Sequence, residues 1–206
     1  MTTSLPRAVL DAADVTAVSQ LCLAERESRD LGRWERMAGC FWPEGRVRIS
    51  WIEGSAAEFV QGSIDMARRG VLASHRLGPP AVRLNGDRAT ALFIGAIDIP
   101  ATVKGVEAYL SSFARFIYRA ERRDGRWGIM GFEAIYMRDE LVPAIPGQVI
   151  SISAKEVVGF RRSYRMLSYL LTAQGYAVNH ALPGEDRPET VKAILDDVDA
   201  WRATRP

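Results

Sequence analysis

Two residues of this 206-residue chain have the types and the setting for proton transfer: Asp30, which closes the stretch Glu25-Arg-Glu-Ser-Arg-Asp30, and His75, in Leu72-Ala-Ser-His75-Arg-Leu-Gly-Pro-Pro80. Imidazole changes charge near neutral pH, and a carboxylate that accepts one ring N–H fixes the tautomer and leaves the other nitrogen free to take a proton. His75 follows a helix-like segment and precedes a Gly-Pro-Pro stop, which places it where a loop enters a sheet, at a rim beside a cavity. A third candidate is Arg115. In Ser111-Ser-Phe-Ala-Arg-Phe-Ile-Tyr118 the alternation Phe113, Arg115, Ile117 puts a cation on one strand face among apolar neighbours, where a permanently charged fork would hold a developing anion. An outward arginine in a surface ion pair is the competing reading. Trp51, Tyr109, Phe113, Tyr118 and Tyr136 lie in strand-like segments and are candidates to line a pocket for an aromatic ligand, although aromatic residues in strands also serve as core. His180 falls in the polar connection Asn179-His-Ala-Leu-Pro-Gly184 and reads as exposed.

The elements that must position these residues follow from periodicity. Ala17, Leu21, Ala24 and Ser28, with Val15, Val18 and Cys22 beside them, form one face of a helix from Asp11 to about Arg29. A short helix is expected over residues 32–41, ended by a Trp42-Pro-Glu-Gly45 turn, and then Val47, Ile49 and Trp51 alternate as a strand. Ser55-Ala-Ala-Glu58 is a capping box that starts a helix reaching about Arg69. Beyond it lie strand-like stretches at 79–84, 88–99, 108–121 and 126–138, joined in pairs by Asn85-Gly-Asp87 and Arg123-Asp-Gly125, both reversal signals. The order predicts an α+β fold, a curved antiparallel sheet covered by the N-terminal helices. After Pro143 and Pro146-Gly147 a helical extension begins: one helix over 160–173, and another capped by Asp186 that runs to about Trp201. Residues 1–145 are therefore expected to form the main domain, and 146–206 an extension packed on it or on a neighbouring subunit, with a dimer or trimer as the expected assembly.

Composition narrows the classes. The chain is 48% hydrophobic and 25% charged with net charge +2, enough for one core and too balanced for a nucleic-acid partner. Cys22 and Cys40 have no CxxC partner and read as buried thiols of a reducing compartment. The N-terminus MTTSLPRAVLDAADV carries no leader pattern and no stretch long enough to cross a membrane, so a cytoplasmic protein is expected. The sequence contains no glycine-rich phosphate loop, no nucleophile elbow and no metal-ligand cluster. The expectation is chemistry without cofactor or metal.

With the order of elements, particular residues carry a resemblance. They are Asp30-Leu-Gly-Arg-Trp34 followed by Ala38-Gly-Cys-Phe41 and Pro43, then Gly62, His75 before Gly78-Pro79, Gly86-Asp-Arg-Ala89, and Asp124-Gly-Arg-Trp127 ahead of Arg138-Asp139. Over about residues 10 to 142 the chain resembles the nuclear transport factor two-like superfamily and, within it, the SnoaL-like and scytalone dehydratase-like branch. The resemblance implies a cone-shaped barrel with an apolar pocket at one end, an aspartate at the position of Asp30 that orients a histidine base at the position of His75, and lyase chemistry on a hydroxylated aromatic or polyketide-like molecule. That chemistry is dehydration, or retro-aldol carbon–carbon cleavage as in the relatives that deformylate lignin-derived diaryl compounds. Two departures stand out: residues 99–102 lack the second histidine of those dehydratases, and Arg29 and Trp51 replace their tyrosines. The superfamily also contains ligand-binding and structural members, such as the small subunit of ring-hydroxylating dioxygenases, and ketosteroid-type isomerases with a lone carboxylate base, for which Glu133 is the nearest candidate.

Overall fold

The computed structural model describes residues 6–204; the first five residues of the stretch read for a leader lie outside it. Helices α1 (Arg7–Asp30) and α2 (Trp34–Gly39) lead into strands β1 (Phe41–Ile49) and β2 (Ile52–Ser55) and helix α3 (Ala56–Arg68). Strands β3 (Ser74–Leu77), β4 (Ala81–Asn85), β5 (Arg88–Val103), β6 (Val106–Arg123) and β7 (Arg126–Pro143) follow. The chain ends in α4 (Ala154–Val157), a 3-10 turn at Arg162–Tyr164, α5 (Arg165–Ala173) and α6 (Pro188–Ala203). No helix among the described residues is long and apolar enough to cross a membrane.

The fold is α+β, a curved sheet wrapped round the N-terminal helices in the order β2-β1-β7-β6-β5-β3, with β4 also on β5. It is mixed where the sequence predicts antiparallel pairing throughout, because β1 runs parallel to β7. Residues 42–45, expected to be a turn, instead lie inside β1, where the register against β7 shifts between Phe41 and Arg46. Pro43 has no amide to give a ladder, and a bulge is where a strand tolerates that loss.

The Gly78-Pro-Pro80 break answers to the edge of the sheet. β3 pairs with β5 over residues 95–98 and β4 pairs with it over 88–92, so the two proline rings divide one edge strand into two pieces. His75 therefore sits in a short edge strand and not in a loop, directly opposite Ile97. Gly95 makes this pairing possible, because a Cβ there would collide with the Arg76 carbonyl oxygen. At the other end of the long hairpin, Asp124 and Gly125 have φ of 49° and 77°, the left-handed pair that a tight reversal between twisted strands requires.

The Ser55–Glu58 capping box forms as read. The extension departs from its reading in two ways: the helix expected from Phe160 begins as a 3-10 turn, and Asp186 caps nothing. Asp186 instead accepts from the Arg161 guanidinium, at 2.6 and 2.9 Å, in a half-buried pair that pins the connection before α6. α6 covers the outer sheet face at Ile117 and Ile135 with Ile194 and Val198.

Candidate active site

α1 turns from apolar to charged along its inward face. Val18 and Cys22 are buried, and the same face continues through Glu25 and Arg26, both buried, to Arg29 and Asp30 at the helix end. The edge strand β3 brings His75 against that end. Asp30 Oδ2 accepts the His75 backbone N–H at 2.7 Å, and Asp30 Oδ1 lies 2.7 Å from ring Nδ1. A carboxylate has no proton to give, so Nδ1 carries the hydrogen and Nε2 presents a lone pair. The imidazole side chain is only 4% exposed. Burial holds it down to a pKa of about 4, against the hydrogen bond that Nδ1 donates to Asp30, and the charges of Arg26 and Arg29 push the same way as burial. At neutral pH the ring is uncharged and able to accept a proton. Burial pushes the Asp30 carboxyl up, but the bonds from His75 outweigh this and hold it below the usual carboxylate range.

His75 lines an apolar cavity enclosed by Ile49, Trp51, Met66, Val71, Ala73, Ile97, Ile99, Phe116, Phe132, Ala134, Tyr136, Leu167 and Leu171, with Arg26, Arg29 and Ser50 as its other polar walls. The cavity holds about 40 Å³ of free space, room for roughly three waters. Across Val71 and Ala73 it adjoins an open cleft that also contains Arg29, Asp30, Trp34 and Leu72.

Of the aromatic candidates, Trp51 and Tyr136 line the cavity. The Tyr136 hydroxyl accepts the Ser50 amide at 2.9 Å, which leaves its own proton unassigned to any acceptor among the described residues, and burial pushes its pKa up to about 12. Tyr118 is buried away from the cavity, where it stacks on Phe132 and donates to Glu25 Oε2 at 3.0 Å. Tyr109 is 52% exposed on the outer face, and Phe113 lies there under the Arg138 guanidinium at 4.0 Å.

Arg115 does not reach the cavity. The inward residues of β6 are Ala114, Phe116 and Tyr118, so the face that carries Phe113, Arg115 and Ile117 points outward, and Arg115 pairs with Glu185 of the extension at 3.2 Å. Its neighbour Ile117 belongs to the small core under α6. Glu133, the carboxylate considered for an isomerase, is on that outer face too, paired with Arg119. His180 is exposed, as read, and stacks on Phe160.

Of the two guanidinium groups at the cavity, Arg26 and Arg29, Arg29 is the one without a carboxylate in hydrogen-bond contact. Its side chain is 10% exposed. Nη2 has only the Met66 sulfur, at 3.7 Å, and Nη1 is 3.8 Å from Asp30 Oδ1, already occupied by His75. Burial, helped by the neighbouring charge of Arg26, lowers its pKa to about 10. Arg26 and Arg29 were detectable in principle: they continue the spacing of Val18 and Cys22, so they are charged residues in core register.

Known proteins agree with this architecture. Among proteins with related sequences, Pea pathogenicity protein 2 of Fusarium vanettenii is 27% identical over 86% of this chain and 78% of its own length. A type 2 hexachlorocyclohexane dehydrochlorinase (LinA) superposes with TM-score 0.55 at 17% identity, covering 69% of this chain and 97% of the other. A candidate scytalone dehydratase from Novosphingobium aromaticivorans superposes with TM-score 0.53 at 12% identity, over 68% and 97%. These likenesses establish the cone-like fold of the nuclear transport factor two-like group. The sequence profile of the SnoaL-like domain matches residues 11–132, and the chain belongs to that family.

Proposed function

We propose that the protein is a lyase in which its own side chains carry the proton transfers: His75 is the general base, Asp30 orients it, and Arg29 stabilises the anion that forms. One observation carries this reading, the 2.7 Å contact of Nδ1 with Asp30 in a ring that lines the cavity and has only a long 3.4 Å contact, from Arg26 Nη1, at its other nitrogen. The dehydrochlorinase and dehydratase likenesses support elimination as the reaction class.

Charge balance supports a neutral substrate. At rest Glu25 offsets Arg26, Asp30 stands near Arg29, and the imidazole is uncharged. When His75 takes a proton from a carbon next to a carbonyl, the new imidazolium is matched by Asp30. Arg29 is then left to face the new enolate oxygen, with the Tyr136 hydroxyl as a second donor. A guanidinium with no oxygen within hydrogen-bond distance before reaction, its nearest being Asp30 Oδ1 at 3.8 Å, and an oxyanion in reach during it stabilises the transition state selectively. The free space of about 40 Å³ is less than one ring needs; a single-ring substrate requires Leu167 and Leu171 to give way, and a two-ring diaryl compound requires a larger movement.

The test is proton exchange. Incubated in D2O with a panel of single-ring hydroxylated or halogenated ketones, the protein should exchange the hydrogen next to the carbonyl and release water or halide, as read by NMR and mass spectrometry. His75→Ala and Asp30→Asn should lose exchange by roughly 100-fold or more. Equal turnover by His75→Ala overturns the assigned base, and ligand binding without exchange favours a non-catalytic binding role.

A further inference from the structure

Glu25 and Arg26, consecutive on α1, are the most deeply buried ion pair of the described residues, with side chains 0% and 3% exposed. Nε and Nη2 of the guanidinium face the two oxygens of Glu25, and Tyr118 adds a hydrogen bond to Oε2. The guanidinium also lies over the Phe132 ring at 4.6 Å and the Phe59 ring at 5.4 Å. Ion pairs at this depth seldom repay the cost of leaving water, so stability is a weak reason for this one. Its remaining nitrogen, Nη1, is 3.4 Å from Nε2 of His75.

We propose that Arg26, clamped by Glu25, is a positioning residue for the base: it stands against the proton-accepting nitrogen of His75, keeps the resting ring neutral with its hydrogen on Nδ1, and drives the proton onward from Nε2. The proposal rests on His75 being the base. Arg26 and Asp30 are four apart on one helix face and would pair with each other if free; the Glu25 carboxylate prevents this and leaves Asp30 to the imidazole. The charged groups facing His75 are Arg26, Arg29 and Asp30 from α1 and Asp98 from β5. Asp98 is itself held by Arg76 and Ser111, while Phe116 of β6 meets the ring edge-on at 5.9 Å.

The consequence concerns the second half of the elimination. Only one imidazole lines the cavity, so the same ring has to deliver the proton that a leaving hydroxyl needs. The C–H bond breaks, its proton goes to Nε2 and its electron pair becomes the enolate. As the carbonyl re-forms, that pair becomes the carbon–carbon double bond, the C–O bond breaks, and the oxygen takes the Nε2 proton and departs as water. A cation at 3.4 Å makes the imidazolium short-lived and favours that return.

The chain has two histidines, so a nitrogen-15 NMR titration reads His75 directly once His180→Gln identifies the other signal set. In the wild type the His75 ring should be neutral with its hydrogen on Nδ1 from pH 8 down to about 5, in line with a value of about 4. Removing both charges together, in Glu25→Gln with Arg26→Met, should raise its titration by about one pH unit or more. Arg26→Lys with Glu25 retained should keep it low. A folded double variant that titrates like the wild type overturns the proposal. A wild-type ring protonated at pH 6, or one with its hydrogen on Nε2, overturns it too, and this reading needs no variant to fold. No substrate is needed, so a neutral Nδ1–H ring without exchange activity would fault the lyase reading and Arg26's part in proton return, and leave standing only its hold on the charge and tautomer of the ring.

Discussion

Arg29 sits in the cavity wall with a sulfur and an already occupied carboxylate as its only close polar neighbours, an expensive place for a cation unless reaction supplies its counter-charge. The expected consequence is specific. Arg29→Met should lower kcat by about 100- to 1000-fold, the usual cost of one lost oxyanion donor, with little change in KM, since the resting ligand is neutral. Steady-state kinetics on any substrate from the exchange panel separates the two constants, and a loss confined to KM would show that Arg29 serves ground-state binding. The same substitution removes one of the two positive charges beside His75, so the acid limb of kcat/KM should move to higher pH, toward the ordinary histidine value of about 6.5. Arg115→Met, on the outer face, should change neither.

The elements matter because the cavity is not closed by the family domain alone. The matched segment ends at residue 132, while Tyr136 comes from the far half of β7 and Leu167 and Leu171 from α5. Asp139 accepts the Leu167 amide at 2.8 Å and so ties the start of α5 to β7. Leu171→Ala should cost about 2–5 kcal/mol of stability while enlarging the cavity, so the variant should bind or turn over larger rings that the wild type rejects. A destabilised variant with unchanged ligand range would mean that α5 is packing only. Much of this scaffold was legible: the capping box, the two Gly-containing reversals and the helix periods each have a local cause. The Asp30–His75 encounter was legible through resemblance. What sequence could not supply was which face of β6 turns inward. Both faces carry apolar residues, since α6 covers Ile117 from outside while Phe116 fills the cone, and a strand buried on both sides loses the alternation that reveals its direction. That is why Arg115 reads as a cavity residue and Arg29, hidden at the end of a helix, does not.

At the scale of the whole molecule, two buried groups oppose each other in pH. His75 has its folded pKa lowered to about 4, below the unfolded value of about 6.5, so between these values the unfolded chain binds the extra proton and stability falls as pH falls. Asp139 is the reverse. Burial raises it to about 6, despite amide hydrogen bonds from residues 165–167, above the unfolded value of about 3.9. The folded chain binds the extra proton there, and stability rises as pH falls. Between about pH 5 and 6 the slopes are of opposite sign and near-equal size, at most ~1.4 kcal/mol per pH unit each, so these two groups should leave the wild-type stability nearly flat. Asp30, whose pKa is depressed, acts only below this window. Single substitutions should unmask each partner: Asp139→Asn should lose stability on going from pH 6 to 5, and His75→Gln should gain it. For a chain of this size, ~1 kcal/mol corresponds to about 2–4 °C in Tm, well within reach of urea or thermal unfolding of the three proteins at matched pH. Parallel profiles for all three would mean that neither group titrates differently in the folded chain, which would remove the buried neutral imidazole on which base catalysis at His75 depends.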